Sequence, residues 1–524
     1  MNLNIEDKFN KELPADPMKD NSMRQVQNAC FSYVNPTKPK KPSLIHVSAE
    51  MANLLGISAK ESKSAAFLNI FSGTEILKNT APYAMCYGGH QFGNWAGQLG
   101  DGRAINLGEI KHQSKSWALQ LKGAGATPYS RRADGLAVLR SSIREHLCSE
   151  AMYYLGVPTT RSLSLMLTGN EVLRDVLYNG NSAYEKGAIV CRASPNFIRF
   201  GSFEIFASRN DVDTLRKLAD FTIKHFFSEI KPKTKESYIA FFKEVAKLTL
   251  AMVVHWQRVG FVHGVMNTDN MSIMGLTIDY GPYGWLEGYD PNWTPNTTDK
   301  QNRRYRFGQQ PNIALWNLVR LANALFPLAP KTEAFQAVFD DFQSEYIKAY
   351  LFMMSEKLGL QNHHPSNRNI IAELEALLQI TETDMTIFFR NLSNFKKEDD
   401  LTKGYDCVKI IETAFYKATE VDETILNRWK NWFILYQNYL VQHSISDIER
   451  KVKMNKVNPK YVLRNYMAQL AIDAADKGDY SIINELHELL KKPYDEQPEA
   501  EKWFAKRPEW ARHKVGCSML SCSS

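Results

Sequence analysis

Oxygen-bearing side chains are concentrated in one short stretch of the sequence, VHGVMNTDNMSIMGLTIDYGP, from Val262 to Pro282. Asp269 and Asn270 are adjacent there, and Asp279 follows shortly after them. Carboxylates and amides of this kind take up protons and bind hard divalent cations. The stretch is therefore a candidate catalytic centre.

The spacing of these residues follows the catalytic pattern of protein kinases with one position changed. His263 precedes Asn270 with the spacing of the kinase motif H-R-D-x-x-x-x-N, and Asp279-Tyr280-Gly281 stands where kinases have D-F-G. Val265 occupies the place of the kinase catalytic aspartate. The pattern indicates a kinase-like centre that lacks the usual base.

The two halves of the chain around this centre have different sequence patterns. Residues from about 81 to 202 alternate glycine-rich turns with strand-like runs, whereas amphipathic helices dominate from about residue 211 onward. The contrast predicts an α+β fold with a small, β-rich N-terminal lobe and a large helical C-terminal lobe. The polar, turn-rich segment Gly284–Arg306 stands where a kinase has its activation segment. The predicted helices are Asp211–Phe227, Ser237–Trp256, Asn312–Phe326, Glu333–Lys357, Asn369–Leu378, Thr424–His443, Pro459–Lys477 and Tyr480–Lys491.

A glycine-rich stretch, YGGHQFGNWAGQLGDG, precedes the strand-like run Arg103–Gly108. Glycine lets a backbone approach a ligand closely because it has no side chain. The order of the last glycines is the reverse of the kinase G-x-G-x-x-G, so the stretch taken alone is equally compatible with a set of tight turns. Its place before the next strand favours a nucleotide-binding loop.

The next strand-like run, Trp117–Lys122, ends on a lysine, as the kinase V-A-I-K strand does. The helix predicted from Leu136 to Leu155 places Glu145 among small and apolar neighbours. A buried carboxylate needs a cation, so we expect Glu145 to pair with Lys122. A solvated lysine and an exposed Glu145 are the alternative.

Two arginines follow the strand-like run Gly187–Cys191, at the point where a kinase passes between its lobes. Arg192 and Arg199 stand where kinases hold adenine with backbone groups and an apolar wall. Guanidinium groups match phosphate oxygens, so this position is chemically suited to a polyphosphate. Two ordinary surface arginines are the alternative.

The composition limits the function classes. The chain has 524 residues, of which 44% are hydrophobic and 23% charged, and a formal net charge of +7. This small charge predicts no nucleic-acid partner. No apolar run approaches the ~20 residues that span a bilayer, and the N-terminal sequence resembles no targeting peptide, so we expect a cytoplasmic protein with no membrane partner. Seven scattered cysteines without C-x-x-C or H-E-x-x-H argue against a disulfide scaffold and a zinc site.

Longer motifs resemble those of the selenoprotein O family, also called SelO or YdiU. They are YGGHQFGNWAGQLGDGRA, LQLKGAGATPYSRRADG, VLRSSIREHLCSEAM, RASPNFIRFGSFE, HGVMNTDNMSIMGLTIDYGPYG and a terminal Cys-Ser-Ser. The resemblance implies a bilobal protein-kinase-like fold with a C-terminal helical extension. It also implies an adenylyltransferase that moves AMP from ATP to protein hydroxyl groups and releases pyrophosphate, with ATP bound in the flipped orientation.

The resemblance also implies a role for each matching residue. Asn270 and Asp279 would hold Mg²⁺ or Mn²⁺, Asp269 would accept the proton of the acceptor hydroxyl, and Glu145 would pair with Lys122. From its position alone, Asp269 is equally compatible with a group that only supports a metal ligand. The implied nucleotide contacts are Gly100, Gly102, Arg103, Lys122, Asp134, Gly135, Arg192, Arg199 and Asp279.

The implied partners are proteins with Ser, Thr or Tyr hydroxyls, redox-related proteins among them, and the enzyme itself. An ATP-dependent kinase acting on a protein or small molecule is one alternative function, and an inactive pseudokinase that binds nucleotide as a scaffold is another. Retention of Lys122, Glu145, Asn270 and Asp279 argues against the scaffold. Val265 and the arginines after Cys191 argue against the kinase.

We expect four parts in the chain. These are an N-terminal extension that packs on the lobes (1–80), the N-terminal lobe with the nucleotide-binding loop (81–204), the helical lobe with the catalytic loop and activation segment (205–420), and a C-terminal helical extension with a cysteine-containing tail (421–524).

The tail carries the last two cysteines, Cys517 and Cys522. Cys522 is third from the end, where selenoprotein members of the family carry selenocysteine, which implies a redox role. In some members this residue bonds a cysteine of the activation segment, but Gly284–Arg306 contains none. We expect a mobile, accessible tail in which oxidation links Cys522 to Cys517 or to another protein and leaves self-modification unchanged. Two inert reduced thiols on a disordered tail are the alternative.

Overall fold

A large antiparallel sheet organises the N-terminal part of the protein. The structure is a computed structural model that describes residues 1, 3–231, 233–361, 364–402 and 408–521. The described strands are β1 (Phe31–Tyr33), β2 (Ser43–Val47), β3 (Tyr83–Met85), β4 (Gly88–Gln91), β5 (Asn94–Gln98), β6 (Ala104–His112), β7 (Lys115–Lys122), β8 (Ala137–Val138), β9 (Arg161–Asp175), β10 (Ser182–Ser194), β11 (Phe261–Val262) and β12 (Gly284–Trp285).

The spatial order of the large sheet is β1-β3-β6-β7-β10-β9-β2, with β8 paired to β10. Both edge strands, β1 and β2, come from the first 80 residues. The long hairpin of β9 and β10 is the main difference from the sequence prediction, which contained only Gly187–Cys191 from it. Its outer half is largely exposed, so it lacks the continuous apolar run that marks a buried strand.

Helices form the rest of the described fold. They are α1 (Lys8–Glu12), α2 (Ala49–Leu54), α3 (Ala65–Phe71), α4 (Leu139–Tyr154), α5 (Phe200–Ser208), α6 (Val212–Phe226), α7 (Lys235–Val259), α8 (Gln310–Leu325), α9 (Thr332–Leu358), α10 (Asn367–Leu378), α11 (Met385–Leu392), α12 (Glu423–Gln442), α13 (Asp447–Val457), α14 (Asn465–Ala475) and α15 (Ser481–Leu490). Within the described ranges, none is both long and apolar enough to cross a bilayer.

The predicted helices are present, and their observed ends differ from the predicted ends by a few residues. The helix predicted from Pro459 begins only at Asn465, because the preceding residue Arg464 is extended. The helix predicted from Leu136 begins at Leu139, since residues 137 and 138 pair with β10. Asp211 and Thr234 cap α6 and α7, where their side chains accept hydrogen bonds from backbone amides.

The buried apolar side chains of the described residues form two hydrophobic cores. The first runs from the sheet through α4 to α8 and includes α14 and α15. The second is built by α9 to α13 together with Leu286 and Phe307 from the segment after the catalytic loop. The first core therefore joins the sheet to the helical body, and the active cleft lies along this junction.

The glycine-rich stretch after β3 folds differently from the predicted loop. Gly88–Gln91 and Asn94–Gln98 pair as the separate β4–β5 hairpin. β4 packs against α5 and against the short 3₁₀ helix Thr268–Asn270 of the catalytic loop. The stretch thus reaches across to the helical body. Its residues Tyr87, Gln91 and Phe92 and the run from Leu99 to Arg103 line a cleft between the sheet and the helices.

As far as Ser521, the C-terminal tail is also ordered, contrary to the mobile tail that we expected. The Thr297 amide donates to the Leu520 carbonyl at 2.7 Å, and the Leu520 amide donates to the Pro295 carbonyl at 3.2 Å. These bonds pair the tail with the activation segment. Cys517 is buried, and burial raises its pKa to about 11, so it is not an accessible thiolate. Cys522 lies outside the described residues.

Three histidines, His146 and His487 buried and His46 half-buried, join segments that are distant in the sequence. His46 Nδ1 lies 2.8 Å from His146 Nε2, and His146 Nδ1 lies 2.6 Å from Ser162 Oγ. The His487 ring of α15 packs 4.4 Å from the His46 ring. Burial lowers the pKa of His46 to about 3, with further lowering by His487 and Lys491 against the opposing charge of Glu50. Burial also lowers the pKa of His146 well below its usual value, so His46 and His146 are held as neutral imidazoles.

We expect this cluster to make the protein sensitive to mild acid. The folded pKa of His46 lies below its unfolded value of about 6.5, so its contribution to stability is present above about pH 6.5 and is lost as the pH falls toward about 3. Between these two pH values, a histidine whose pKa is lowered in this way changes the free energy of unfolding by up to ~1.4 kcal/mol per pH unit. Thermal unfolding of His46→Phe between pH 7 and pH 5 should therefore show a shallower pH dependence. The exposed His513, changed to Phe, is the matched control, and identical slopes in all three proteins would contradict the assignment.

Candidate active site

A cleft of about 660 Å³ lies between the sheet and the helical body. This volume is within the range of small-molecule and cofactor sites. Its walls carry unusually many charged side chains. They are Asp101, Arg103, Lys122, Arg131, Arg132, Asp134, Arg174, Arg192, Arg199, Asp269 and Asp279.

The floor of the cleft begins with an ion pair between the sheet and α4. Lys122, the last residue of β7, places Nζ 2.6 Å from Glu145 Oε2. Arg192 of β10 places Nη1 3.0 Å from Glu145 Oε1. Burial lowers the pKa of Lys122, and the neighbouring Glu145 charge opposes that change. One buried carboxylate thus holds two cations at the same end of the cleft.

Asp279 continues the charged floor on the other side. Its carboxylate accepts from Arg192 Nη1 at 2.6 Å and from Arg199 Nη1. Burial alone would raise the pKa of Asp279, but Arg199, Arg192 and Lys122 hold it well below its usual value. Its backbone has a φ of 59°, in the left-handed region that aspartate tolerates better than most residues. The local backbone and the arginines together fix an ionised carboxylate in the cleft.

Asp269 is a different kind of carboxylate. Its Oδ2 accepts a hydrogen bond of 3.2 Å from Gln91 Nε2, while Oδ1 has no hydrogen-bond partner among the described residues. Burial raises its pKa to about 6, and the Gln91 bond opposes this rise. A buried carboxyl group with one oxygen that has no hydrogen-bond partner and a pKa of about 6 has the properties of a general base.

The catalytic loop holds Asn270 beside Asp269. Asn270 Nδ2 donates to the Val265 carbonyl at 2.9 Å, which leaves Oδ1 as an acceptor on the cleft wall. His263, the first residue of the motif, lies 2.8 Å by Nε2 from the Ile278 carbonyl and so ties the loop to the segment before Asp279. Val265, which stands where a kinase has its catalytic aspartate, also lines the cleft. The cleft therefore has an apolar side chain, not a carboxylate, at that position.

The β4–β5 hairpin closes one side of the site around Asp269. A Cβ on Gly89 would lie 2.9 Å from Asp269 Oδ1, so the close approach of the hairpin requires glycine there. At the hairpin tip, the Phe92 amide donates to Asn267 Oδ1 at 3.1 Å, and Tyr305 Oη donates to the same oxygen at 2.6 Å. Hairpin, catalytic loop and activation segment therefore meet at Asn267.

The predicted nucleotide contacts line the same cleft as Asp269 and Asp279, at different depths. Gly100, Gly102 and Gly135 lie on its wall, and Arg103 is exposed at its edge. Asp134 is exposed and forms a two-bond ion pair with Arg174 at 2.7 and 2.8 Å. Gly135 has a φ of 72°, and a Cβ there would lie 2.1 Å from the Gly125 carbonyl, so glycine is needed.

Comparison with known proteins places the chain in one family. A family model described as protein adenylyltransferase SelO matches residues 18–491. The protein nucleotidyltransferase YdiU of Flavobacterium johnsoniae is 64% identical over 523 residues, which are 100% of both chains. The YdiU proteins of Rhodopirellula baltica and Azoarcus sp. are 54% and 52% identical over 100% of this chain and 99% of each relative.

The chain belongs to the SelO family. The resemblance seen in the sequence motifs is confirmed over the whole length of the protein, which is a nucleotidyltransferase enzyme. This SelO-family cleft combines the buried ion pair, the ionised Asp279 and the open oxygen of Asp269 in one cavity.

A divalent cation fits the donors of this SelO-family site. Asn270 and Asp279 offer oxygen atoms on one cleft, and Asp279 is ionised at neutral pH. In the described part of the chain, no group of three or more His, Cys, Asp or Glu residues could hold a metal by itself. Two protein oxygens suit Mg²⁺, which binds through few carboxylates, waters and substrate phosphates.

Several residues that shape the site are absent from the sequence prediction. Gln91 holds Asp269, and Asp101 lies buried with Oδ1 3.7 Å from Arg199 Nη2. Asn267 and Tyr305 join the hairpin tip to the activation segment. The density of polar residues in the glycine-rich motif was a usable signal for Gln91 and Asp101, but nothing in the spacing links Tyr305 to residue 267.

The Gln91 bond generates a direct prediction for the Asp269 carboxyl group. Gln91→Leu removes a donor that stabilises the charged form, so the pKa of Asp269 should increase above its value of about 6. Carboxyl carbon NMR of the protein labelled at aspartate, compared with Asp269→Asn to assign the signal, measures the change. Gln98→Leu, in the neighbouring strand β5, is the control, and an unchanged Asp269 titration in Gln91→Leu would contradict the role of the hydrogen bond.

Proposed function

We propose that the protein transfers AMP from ATP to Ser, Thr or Tyr hydroxyls of proteins, itself included, and releases pyrophosphate. The observation that carries the proposal is the basic floor of the cleft, where Lys122, Arg192 and Arg199 surround two carboxylates. Membership of a family described as protein adenylyltransferases supports the same reaction. The sheet and helical body that flank the cleft are, in this proposal, the two lobes of a protein-kinase-like fold.

The charge of the floor supports a flipped nucleotide. Arg192 and Arg199 are buried where a kinase has an apolar adenine pocket. Guanidinium groups offer donors for phosphate oxygens, so the β- and γ-phosphates would lie deep and the base near the exposed edge. This orientation brings the α-phosphate, rather than the γ-phosphate, to the catalytic loop. Gly100, Gly102, Arg103, Asp134 and Gly135 would then contact the outer part of the nucleotide.

Each catalytic group has a defined task in this proposal. Asn270 and Asp279 would hold Mg²⁺ or Mn²⁺, which neutralises charge on the phosphates when bound. Asp269 accepts the hydroxyl proton through Oδ1, the oxygen that has no hydrogen-bond partner among the described residues. The acceptor oxygen forms a bond to the α-phosphorus, and the bond from that phosphorus to the bridging oxygen breaks. The electron pair leaves with pyrophosphate, whose charge Lys122 and the arginines stabilise.

ATP labelled at different phosphorus atoms tests which part of the nucleotide is transferred. ATP labelled at the α-phosphorus should mark acceptor proteins and the enzyme itself, whereas ATP labelled at the γ-phosphorus should leave them unmarked. Transfer is measured by mass spectrometry of the modified peptides and by counting label in the protein fraction. Incorporation of γ-label without α-label would establish the kinase alternative, and nucleotide binding without either transfer would establish the scaffold.

Two carboxylate variants separate the proposed roles. Asp269→Asn should lower turnover by about 10²–10⁴-fold with ATP affinity little changed, because only the proton acceptor is lost. Asp279→Ala should abolish transfer and remove the dependence of ATP affinity on Mg²⁺. Calorimetry of ATP binding with and without Mg²⁺, beside initial rates, distinguishes them. Asp213→Ala, at an exposed position of α6, is the control; near-normal turnover in Asp279→Ala would refute the metal assignment.

A further inference from the structure

Two arginines stack on one tryptophan at the rim of the active cleft. Arg304, from the activation segment, and Arg320, from α8, place their guanidinium carbons 4.6 and 4.8 Å from the ring centre of Trp316. His90 of β4 packs against the same indole at 5.5 Å and against Trp95 at 5.2 Å. We call Trp95, Arg304, Trp316 and Arg320 the Trp316 patch.

No carboxylate of the described residues forms a direct ion pair with the Trp316 patch, although the Asp299 charge acts on Arg304 from a distance. Over the described residues, neither Arg304 nor Arg320 forms an ion pair, and Nε of each is buried without a hydrogen-bond partner. The nearby Asp299 carboxylate is occupied by the backbone amides of Arg304 and Tyr305 at 2.9 and 2.7 Å. Arg192 and Arg199 in the floor of the cleft, in contrast, are each paired with carboxylates.

The Trp316 patch is continuous with the catalytic residues. Phe92 lines the cleft, and the next residue, Gly93, faces Arg304, whose Cζ would lie 3.5 Å from a Cβ on that glycine. Tyr305, adjacent to Arg304, donates to Asn267 of the catalytic loop. Gly89 lies against Asp269, and the next residue, His90, packs on Trp316, so adjacent residues of β4 connect the catalytic carboxylate to the patch.

We propose that the Trp316 patch binds a carboxylate side chain of the acceptor protein, next to the hydroxyl that is modified. The proposal rests on the proposed function, since it names a feature of the acceptor of that same site. Guanidinium groups pair with carboxylates through parallel hydrogen bonds, and the indole holds both groups in place. An extended acceptor rises about 3.3 Å per residue, so an Asp or Glu a few residues from the hydroxyl reaches the patch.

The composition of the Trp316 patch fits a protein partner better than a nucleic acid. Tryptophan and arginine dominate the energetics of protein interfaces, and Trp95 is 39% exposed beside the two guanidinium groups. Two guanidinium groups on one indole offer a single anion position, whereas a nucleic-acid strand requires a basic groove that follows successive phosphates. The neighbouring Glu204 side chain is buried and lies 2.6 Å from His90 Nδ1, so it presents no exposed carboxylate to an acidic segment.

A peptide library tests the proposal. Peptides with a central Tyr, Ser or Thr carry Asp, Lys or Ala at each flanking position and are incubated with the full chain and α-labelled ATP. Peptides with Asp at one preferred offset should be labelled about tenfold faster than their Lys counterparts. In Arg320→Glu and Arg304→Glu/Arg320→Glu this preference should vanish or reverse toward Lys. ATP affinity should be unchanged in Arg320→Glu, and Arg428→Glu, at an exposed position of α12, should behave as the unsubstituted protein.

Binding of the same peptides, immobilised and without ATP, keeps the test independent of transfer. Retention of Asp peptides that is lost in Arg320→Glu supports the patch even if no peptide is labelled, in which case the proposed function alone fails. Equal labelling or equal retention of Asp and Lys peptides overturns the inference and leaves adenylyl transfer intact. Binding of oligo(dT) that Arg320→Glu abolishes, without any acidic-peptide preference, also overturns it in favour of a nucleic-acid surface.

Discussion

A continuous chain of opposite charges crosses the floor of the cleft, through Lys122, Glu145, Arg192, Asp279 and Arg199. Lys122 ends β7, Glu145 lies in α4, and Arg192 lies in β10. Asp279 follows the catalytic loop, and Arg199 is the N-cap residue of α5. Loss of one partner from a buried ion pair costs about 3–5 kcal/mol, because it leaves an uncompensated charge. The chain therefore fixes the sheet relative to the helical body and makes the position of Asp279 depend on every other member.

The same chain gives the cleft its chemical character. It contains three cations and two carboxylates, and the buried Asp101 carboxyl group lies 3.7 Å from its last member, Arg199. Asp269 lies outside the chain, and its raised pKa reflects burial without a direct ion-pair partner. One fold thus keeps two aspartates in opposite states. Asp279 is held ionised by arginines, and Asp269 is left able to exchange a proton near neutral pH.

Segments from both ends of the chain brace this arrangement. The first 80 residues add both edge strands to the sheet, and the C-terminal tail pairs with the activation segment at Thr297. Arg464 of the C-terminal region forms a two-bond pair with the fully buried Asp384 at 2.7 and 2.8 Å. The activation segment is therefore held by backbone hydrogen bonds from the tail, which need no cysteine. The proposed redox role of Cys517 and Cys522 remains a prediction, now for a tail whose first cysteine is buried.

The sequence by itself determined helices α4, α6 to α10, α12, α14 and α15, the strands around Lys122, and the motif residues of the catalytic loop, because these follow from local periodicity and short spacings. It also indicated that Glu145 needs a cation, since a carboxylate among apolar neighbours is costly unpaired. Only the tertiary structure decided that Arg192 shares Glu145 with Lys122 and that Arg199 binds Asp279. Partner choice among several buried charges depends on distances across the sheet–helix junction, which no spacing along the chain encodes. For the same reason the contact of Gln91 with Asp269, across 178 positions, and the docking of the tail on the activation segment became visible only in the folded chain.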